Sequence, residues 1–379
     1  MSKLAFLGAG QLALMTLPHA HRLGLKTVTV DSADAPAHHL AHETITGSLK
    51  EIDVFERCAE IEGLTHATAD MENISLEGVR LLEARGITVT PHSRCLELIQ
   101  DKGKQREFFD KIGIPGPSYF LSATRDFYPR LDSNKNYIVK KRVGGYDGKG
   151  VFRLSQGSLP EDFHAQLLIE EEISIKKELA ILMARNKSGE VRAYEPVEMI
   201  FDPKLNLLDS LYSPARLSEA LKEQMLNYGT KIINELNYNG LLAIEFFLDQ
   251  QDQLLVNEMA PRPHNSGHQT QLTHRVDQFE QHLRAVMNWP LASSKALRRG
   301  YLINLVGLGE GKPEITGLDK VLKIPDSFFQ WYGKETVKPG RKMAHLILST
   351  PLEMNEESAL QEMQTQHERI KEWLKIQAQ

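Results

Sequence analysis

The sequence predicts a multidomain protein that combines α/β and α+β architecture. Residues 3–8 form an apolar strand, and the turn Gly8-Ala9-Gly10, a helix and a second strand at Lys26–Val30 follow it. A strand, a helix and a strand in close succession form a βαβ unit, which is typical of a parallel sheet. Two apolar runs at 240–248 and 254–259 instead predict an antiparallel hairpin, so we expect a second region with α+β architecture.

The composition argues against several classes of protein. The chain has 379 residues, 41% of them hydrophobic and 25% charged, which suffices for two or three domains with their own cores. It contains no apolar run approaching the roughly 18 residues of a membrane helix. Its two cysteines, Cys58 and Cys95, show neither CxxC spacing nor a disulfide framework. A net charge of −5 argues against nonspecific nucleic-acid binding. We therefore expect a cytoplasmic protein without nucleic-acid or membrane partners.

Glycine and proline indicate the domain boundaries. A helix at about Ser93–Ile112 leads into Gly113–Pro117, which predicts a hinge, and Trp289-Pro290 marks a second boundary. We expect an N-terminal Rossmann-like domain, a central domain with a mobile lid and a small C-terminal domain, at residues 1–96, 97–290 (lid about 115–172) and 291–379. The other predicted elements are strands at 137–141, 151–154, 167–170, 301–306 and 344–348 and helices at 217–236, 277–287 and 355–376.

The first glycine loop, Gly8–Ala13, fits the GxGxxA pattern of dinucleotide-binding folds. Asp31 ends the strand that follows, as it does in such folds. Glycines permit the tight turn, and the N-terminus of the next helix favours an anion. Alone, this pattern suggests an NAD-dependent dehydrogenase. A tight turn needed only for packing stays open as the alternative, because short matches of this kind are common.

The second glycine loop predicts a phosphate site. The strand segment Asn136–Arg142 ends in three cations, and Val143–Gly150 has four glycines within seven residues. Such a loop lets backbone N–H groups approach phosphate oxygens, and a lysine anchored at the strand end adds a positive charge. The spacing is not that of a Walker loop. A mobile surface hairpin without a ligand is the alternative.

Two glutamates on the predicted hairpin form a candidate magnesium site. Glu245 lies in an apolar strand, and a turn centred between Gln251 and Asp252 would place it opposite Glu258, with Cβ atoms roughly 5 Å apart. Like charges in apolar surroundings are unfavourable unless a proton or a cation offsets them. Magnesium binds carboxylate oxygens and shares its other positions with phosphates and water. A protonated glutamate, or pairing with arginines, is the alternative.

A polar cluster follows the hairpin at Ala260–His268, with the sequence APRPHNSGH. Its arginine, histidines, asparagine and serine offer many hydrogen-bond donors, which suit an anionic substrate or intermediate. A zinc site at His264 and His268 is an alternative, although a third ligand is not evident.

Further motifs complete an ordered set that spans nearly the whole chain. They are Gly8–Leu12, Glu72-Asn73, Lys140 with Gly144–Gly150, Ile169–Ile173 with Glu178, Asn257–His268, Trp331–Lys334 and Lys338–His345. In these motifs the chain resembles the 5-(carboxyamino)imidazole ribonucleotide synthases, which are ATP-grasp enzymes of purine biosynthesis. The resemblance implies an ATP-grasp fold with a pre-ATP-grasp N-terminal domain. It also implies that ATP phosphorylates bicarbonate to carboxyphosphate, which carboxylates the amine of 5-aminoimidazole ribonucleotide.

The resemblance also implies a role for each matching residue. ATP contacts are implied for Lys102, Lys140, Gly144, Gly145, Tyr146, Asp147, Gly148, Lys149, Gly150, Glu170, Glu171, Glu172, Ile173, Glu178, Asn257 and Glu258. Within this set, Glu170–Ile173 would form the adenine-binding hinge and Glu178 would hold the ribose hydroxyls. Magnesium ligands are implied at Glu245 and Glu258, and catalytic roles at Arg262, His264, Asp147 and Tyr146. Acceptor contacts are implied for Gln11, Glu72, Asn73, Asn265, Ser266, Lys334 and Arg341, the last two with the phosphate of the ribonucleotide. A homodimer is implied as well.

Three segments depart from the family pattern. Ala13-Leu14 replaces a glycine and an arginine, Thr68–Asn73 lacks the usual aromatic residue and second glutamate, and Glu171-Glu172 replaces a neutral and a small residue. The alternatives are a formate- or biotin-directed ATP-grasp ligase, an NAD-dependent dehydrogenase and a catalytically silent binding module.

Overall fold

The computed structural model describes residues 2–144, 150–156, 159–161, 163, 166–205 and 207–379. Within these ranges, no helix has the length and apolar character needed to cross a membrane.

A five-stranded parallel sheet forms the N-terminal part of the molecule, in the order β3-β2-β1-β4-β5 among the described residues. Its strands are β1 Lys3–Leu7, β2 Lys26–Asp31, β3 Glu43–Thr46, β4 Leu64–Ala69 and β5 Thr88–Thr90. Its helices are α1 Gln11–Arg22, α2 Ile52–Ala59, α3 Leu76–Ala84 and α4 Ser93–Ile99. The predicted βαβ unit is confirmed, because β1 and β2 pair in parallel.

The predicted single helix from Ser93 to Ile112 is wrong. After α4 a new helix, α5, runs over Lys102–Lys111. The Asp101 side chain accepts hydrogen bonds from the N–H groups of Gly103 and Lys104, at 2.8 and 3.3 Å, and so caps this helix. The cap places Lys102 at the first helical position.

A small antiparallel sheet with the order β6-β9-β7-β8 follows, and we call it the small sheet. Its strands are β6 Tyr119–Ser122, β7 Tyr137–Lys141, β8 Val151–Arg153 and β9 Leu167–Glu171. Strands β7, β8 and β9 agree with the strands predicted around the second glycine loop, whereas β6 was not predicted. Short 3-10 turns lie at His38–Leu40, Tyr128–Arg130, Leu154–Gln156 and Asn265–Gly267.

The large antiparallel sheet has nine strands in the described part of the chain, in the order β15-β14-β10-β12-β13-β16-β19-β18, with β11 beside β10. These strands are β10 Ile175–Arg185, β11 Val191–Ala193, β12 Val197–Asp202, β13 Leu207–Ser213, β14 Gly240–Asp249, β15 Leu254–Ala260, β16 Arg298–Val306, β18 Ser327–Trp331 and β19 Lys342–Pro351. Because β13 pairs with β16, the sheet continues across the boundary expected at residue 290. The C-terminal segment therefore extends the central sheet.

The remaining elements cover this sheet. They are α6 Glu219–Glu235, α7 Thr270–Thr273, α8 Gln278–Val286, α9 Leu318–Val321 and α10 Glu356–Trp373, with a separate strand pair of β17 Pro313–Thr316 and β20 Lys375–Ala378. Helix α8 also packs against α1, and Leu283, Val286 and Met287 share a buried core with Leu4 and Leu17. The N-terminal sheet is thereby docked on the same helix that follows the polar cluster.

Candidate active site

The first glycine loop uses its backbone donors inside the protein. Ala9 N–H donates to Asp31 Oδ2 at 2.7 Å, and Gly10 N–H donates to Asp70 Oδ2 at 3.2 Å. A Cβ atom on Gly8 would fall 1.5 Å from Asp70 Oδ1, which explains the glycine there. Two carboxylates thus occupy the amides that a pyrophosphate would need, and their charges oppose another anion. This geometry disfavours the dehydrogenase alternative.

The carboxyl group of Asp70 has an unusual pKa. Burial, reinforced by the charge of Asp31, raises the pKa of Asp70 from 3.8 to about 7. The stabilisation that this raised pKa represents is fully present below pH 3.8 and is lost as the pH rises to about 7. We expect Asp70→Asn to gain stability relative to wild type between these two pH values and to hold a constant advantage above them. Thermal unfolding across this range measures the difference, and a pH-independent offset would contradict the assignment.

The N-terminal sheet reaches the polar cluster through Glu72. Its Oε1 lies 2.8 Å from Arg262 Nε, so an ion pair joins two of the predicted site residues. Asn73 is exposed and accepts a hydrogen bond from Lys50. Gln11 is the first residue of α1, next to the first glycine loop.

The second glycine loop connects β7 to β8. Its flanking residues Gly144 and Gly150 both have a φ of +80°, which favours glycine, and Lys141 N–H donates to Gly150 O at 2.8 Å. The predicted site residues Gly145, Tyr146, Asp147, Gly148 and Lys149 lie outside the described residues. The phosphate cradle therefore stays a prediction.

The three cations that precede this loop have different partners. Arg142 binds Asp101 through two hydrogen bonds of 2.9 and 2.6 Å, which ties the loop to the start of α5. Lys141 Nζ lies 4.9 Å from the centre of the Phe163 ring. Lys140 Nζ lies 2.7 Å from Glu170 Oε2 and donates to Asn257 Oδ1 at 3.2 Å.

Lys102, at the start of α5, reaches the neighbouring residue of the same strand. Its Nζ lies 2.7 Å from Glu258 Oε2, while Lys140 contacts the adjacent Asn257. Two ammonium groups from separate elements thus converge at one point of strand β15. Such a pair can neutralise a polyphosphate.

The two glutamates of the hairpin lie next to a break in the predicted register, which holds at Ala243–Ala260 and Ile244–Met259 and shifts by one residue beyond them. Phe246 pairs with Val256 and Ile244 pairs with Met259, so a β-bulge sets Glu245 across from both Asn257 and Glu258. The prediction of a direct one-to-one pair is wrong, because the bulge adds one residue to β15. The two carboxylates stay close enough to influence each other electrostatically.

The pKa values of these glutamates move in opposite directions. Burial, followed by the charges of Glu258 and Glu178, raises the pKa of Glu245 to about 8. The charge of Lys102 is the main reason that the pKa of Glu258 falls to about 2. The site therefore accommodates one negative charge and opposes a second, as expected where a cation completes the charge balance. Carboxylate oxygens of this kind fit Mg²⁺.

His264 is held as a neutral hydrogen-bond donor beside Glu245. Its Nδ1 accepts from Ser266 N–H at 3.3 Å and lies 2.9 Å from Ser266 Oγ, so the ring proton is on Nε2. Nε2 lies 3.8 Å from Glu245 Oε1. Burial, followed by the charge of Arg262, lowers the pKa of His264 to about 3.

Ser266 does not fit its predicted contact with the acceptor. Its side chain is fully buried, and its hydroxyl faces the ring of His264. The structure assigns it to orienting that ring.

Asn265 is linked to a lysine that the sequence analysis missed. Lys342 Nζ donates to Asn265 Oδ1 at 3.2 Å, and Asn265 exchanges two amide hydrogen bonds with Asn304. The charge of Lys342 also contributes to lowering the pKa of His264. Lys342 lies in the motif Lys338–His345, directly after Arg341, and this position could have indicated that it belongs to the site.

The predicted acceptor-phosphate cations lie in the loop before β19. Lys334 Nζ donates to Lys342 O at 2.6 Å, and exposed Arg341 donates to Thr336 O at 2.9 Å. A Cβ atom on Gly333 would lie 3.1 Å from Pro36 Cβ, so this loop packs against the N-terminal part of the molecule.

The predicted adenine hinge, Glu170–Ile173, begins in β9, an interior strand of the small sheet, and continues beyond its end. The Glu170 side chain is buried in ion pairs with Arg106 and Lys140, so its carboxylate cannot contact adenine without breaking them. Glu171 pairs with Lys135 at 2.5 Å, and Glu172 pairs with Arg153 at 2.7 Å. The structure thus gives the side chain of Glu170 a structural role that the sequence analysis did not predict.

Glu178, predicted to hold ribose hydroxyls, lies on β10 opposite Phe247 of β14. Burial raises the pKa of its carboxyl group to about 7, and the charge of Lys140 opposes that shift. Its charge also acts on Glu245, so it borders the same site.

The zinc alternative finds no support. Across the described ranges, no three His, Cys, Asp or Glu side chains cluster so as to hold a metal ion. His268 is fully buried, and its Nδ1 accepts from Gln278 Nε2 at 2.7 Å.

Comparison with known proteins identifies the family. Family models match three consecutive segments: the ribonucleotide synthetase preATP-grasp domain at residues 1–100, the ATP-grasp domain at 107–279 and the phosphoribosylaminoimidazole carboxylase C-terminal domain at 301–359. The N5-carboxyaminoimidazole ribonucleotide synthase of Bacillus subtilis is 30% identical over 90% of this chain and 90% of its own length. The chain belongs to the N5-carboxyaminoimidazole ribonucleotide synthase family. A relative of the same name from Synechocystis sp. is 33% identical over 93% of this chain and 92% of its own.

Solved structures of this synthase family have the same fold. The N5-carboxyaminoimidazole ribonucleotide synthetase of Thermotoga maritima matches with a TM-score of 0.87 and 33% identity, covering 100% of both chains. The carboxyaminoimidazole ribonucleotide synthase of Aspergillus clavatus, complexed with ATP, matches with a TM-score of 0.86 and 26% identity over 97% of this chain and 99% of that one. The predicted ATP-grasp architecture and the predicted family are confirmed.

Proposed function

We propose that the protein is an ATP-dependent carbon–nitrogen ligase of purine biosynthesis. It carboxylates the amine of 5-aminoimidazole ribonucleotide with bicarbonate and yields 5-(carboxyamino)imidazole ribonucleotide, ADP and phosphate. One observation supports this most strongly: Lys102, Lys140, Glu245 and Glu258 converge beside Arg262 and His264, in a chain similar to synthases of that name.

ATP binds with its phosphates between the two lysines. Lys102 and Lys140 reach neighbouring residues of β15, and the glycine-rich sequence at Gly144–Gly150 would add backbone donors. Glu245 and Glu258 would hold Mg²⁺, which supplies positive charge to the phosphates when bound. Glu178 and the segment Glu170–Ile173 border the nucleoside part of ATP.

Bicarbonate is a poor electrophile, so it must first be activated. A bicarbonate oxygen attacks the γ-phosphorus of ATP, the bond to the bridging oxygen breaks, and ADP leaves carboxyphosphate behind. Arg262 and the Nε2–H of His264 donate hydrogen bonds that orient the bicarbonate and stabilise the growing charge. Because His264 is neutral and Arg262 is charged, the anion meets one full positive charge and one directed donor.

The acceptor amine then attacks the carboxyl carbon of carboxyphosphate. The carbon–nitrogen bond forms, phosphate leaves with its electron pair, and the amine loses one proton. Glu72, Asn73, Asn265 and Gln11 would line the acceptor side. The family resemblance implies that Tyr146 and Asp147, which lie outside the described residues, act near the amine. Water must be excluded because carboxyphosphate hydrolyses readily, and closure of the small sheet at the Gly113–Pro117 hinge would exclude it.

The phosphate of the acceptor ribonucleotide is bound by Lys334 and Arg341. We expect Arg341→Ala to raise the acceptor KM by about tenfold, with kcat little changed, because a phosphate contact contributes equally to ground and transition states. Steady-state kinetics at saturating ATP and bicarbonate measures this, and an unchanged acceptor KM would remove the assignment.

Phosphate release tests the function as a whole. It should depend jointly on ATP, bicarbonate and 5-aminoimidazole ribonucleotide, and formate should not replace bicarbonate. Phosphate release that needs neither the acceptor nor bicarbonate would contradict the proposal, and so would turnover with formate. We further propose a cytoplasmic homodimer, as the family resemblance implies.

A further inference from the structure

Gln278, the first residue of α8, is bound to the backbone of His264 on both sides. Its Oε1 accepts from His264 N–H at 2.8 Å, and its Nε2 donates to His264 O at 2.9 Å. The second proton of Nε2 goes to His268 Nδ1 at 2.7 Å. Gln278 is fully buried, so these three bonds use its amide without competition from solvent.

The orientation of this amide follows from its partners. A backbone N–H can only donate, so the group beside His264 N–H must be the oxygen, and the nitrogen must face the carbonyl. A Cβ atom on Gly267 would lie 2.5 Å from Gln278 Oε1 and 2.2 Å from Leu182 Cδ1. Glycine at position 267 is therefore what lets the amide approach the polar cluster so closely.

His264 is consequently fixed at two levels. Gln278 sets its backbone, and Ser266 sets its ring through Nδ1. With both in place, Nε2–H points toward Glu245, 3.8 Å away, where the bicarbonate is proposed to lie. A shift of the His264 backbone would carry this donor with it.

We propose that Gln278 is a positioning residue for bicarbonate, acting through the backbone of His264. The inference rests on the proposed function. Helix α8 would then have two roles: it packs against α1, and through Gln278 it places the hydrogen-bond donor for bicarbonate. In the described part of the chain, the side chain of Gln278 is hydrogen-bonded to His264 and His268 and to neither Lys102 nor Lys140, so we expect its influence to fall on bicarbonate and not on the nucleotide.

Gln281, one turn further along α8, offers a matched control. It is also fully buried, and it binds the backbone of Ala292 in the same two-sided way, at 2.9 Å for each bond. Gln278→Leu and Gln281→Leu therefore each leave one backbone N–H and one C=O without their amide partner. A purely structural role predicts the same kinetic consequence for both.

The experiment compares both variants with wild type in bicarbonate-dependent ATP cleavage and in thermal unfolding. We expect Gln278→Leu to raise the KM for bicarbonate by about 10- to 100-fold, since small misplacements at a reacting centre carry costs of this order. The KM for ATP should change by less than about twofold, and Gln281→Leu should leave both constants within about twofold of wild type. Equal effects of the two variants, or equal changes in both KM values of Gln278→Leu, would overturn the inference.

Gln278→Glu gives a second test if the leucine variant does not fold. A protonated glutamic acid keeps the acceptor for His264 N–H and one donor, whereas in the carboxylate the second oxygen is an acceptor that faces the carbonyl oxygen of His264. Its KM for bicarbonate should therefore rise with pH more steeply than that of wild type, and a parallel pH dependence would overturn the inference. If wild type shows no bicarbonate-dependent cleavage, the proposed function fails. If wild type is active and the variants match their controls, only the role of Gln278 fails.

Discussion

Glu258→Gln is expected to abolish bicarbonate-dependent ATP cleavage while leaving the fold intact. The substitution keeps the shape of the side chain but removes the charge that binds Lys102 at 2.7 Å and that would bind Mg²⁺. A metal ion stabilises the transition state of phosphoryl transfer by several kcal/mol, so we expect a loss of about 1,000-fold or more in kcat. The stability should change little, because the Glu258 side chain is 43% exposed.

Asp252→Asn is the matched control for this loss. Asp252 lies in the turn of the same hairpin, where it forms an exposed ion pair with Lys176 at 2.6 Å, and asparagine tolerates its φ of +58°. Both variants remove one carboxylate from the hairpin, but only the first removes it from the site. Phosphate release under saturating substrates measures both. Full activity in Glu258→Gln would refute the metal assignment.

The sequence predicted those parts of the fold that rest on local patterns. The βαβ unit at the N-terminus, the hairpin of β14 and β15 and the helices α6 and α8 all have continuous apolar periodicity, and all are present. The break between α4 and α5 was missed because a single capping residue, Asp101, decides it. The pairing of β13 with β16 was missed because contacts between distant segments leave no local pattern.

For the candidate site, too, the sequence predicted the residues involved better than their geometry. The residue types at Glu245, Glu258 and Lys140 pointed to metal and phosphate chemistry, and the structure brings them together. The bulge at Asn257-Glu258 could not be predicted, because counting from the turn assumes an unbroken ladder. The roles of Gln278 and Glu170 could not be predicted either. Gln278 binds the backbone of His264, and Glu170 forms a buried ion pair with Arg106, and both contacts join residues that are far apart in sequence.

The second large effect is expected at Glu170, on the small sheet. Its carboxylate is 2% exposed and is shared between Arg106, itself 3% exposed, and Lys140. Burial alone would raise its pKa, but the charges of Lys140 and Arg106 outweigh this and lower it. Arg106 also donates to Val256 O at 2.6 Å, so the network joins β9 and β7 to α5 and to the hairpin of β14 and β15.

Glu170→Gln leaves Arg106 and Lys140 without the buried carboxylate that they share. We expect a loss of about 3–5 kcal/mol in stability, the cost of removing one partner from a buried ion pair. The KM for ATP should also rise, because Lys140 loses the partner that holds it beside Asn257. Urea unfolding and ATP kinetics measure the two effects.

Glu171→Gln, the neighbouring substitution, separates burial from charge. Its ion pair with Lys135 is partly exposed, with side chains 31% and 46% accessible, and such pairs contribute about 0–1 kcal/mol.

The pH dependence of stability also tests the role of Glu170. Because the pKa of Glu170 is lowered in the folded state, its stabilisation is present above the ordinary glutamate pKa and is lost as the pH falls through the folded value. The difference between wild type and Glu170→Gln should therefore shrink in acid. Equal losses in the two variants at neutral pH would mean that the small sheet does not depend on this buried network, and that Lys140 is placed by its strand alone.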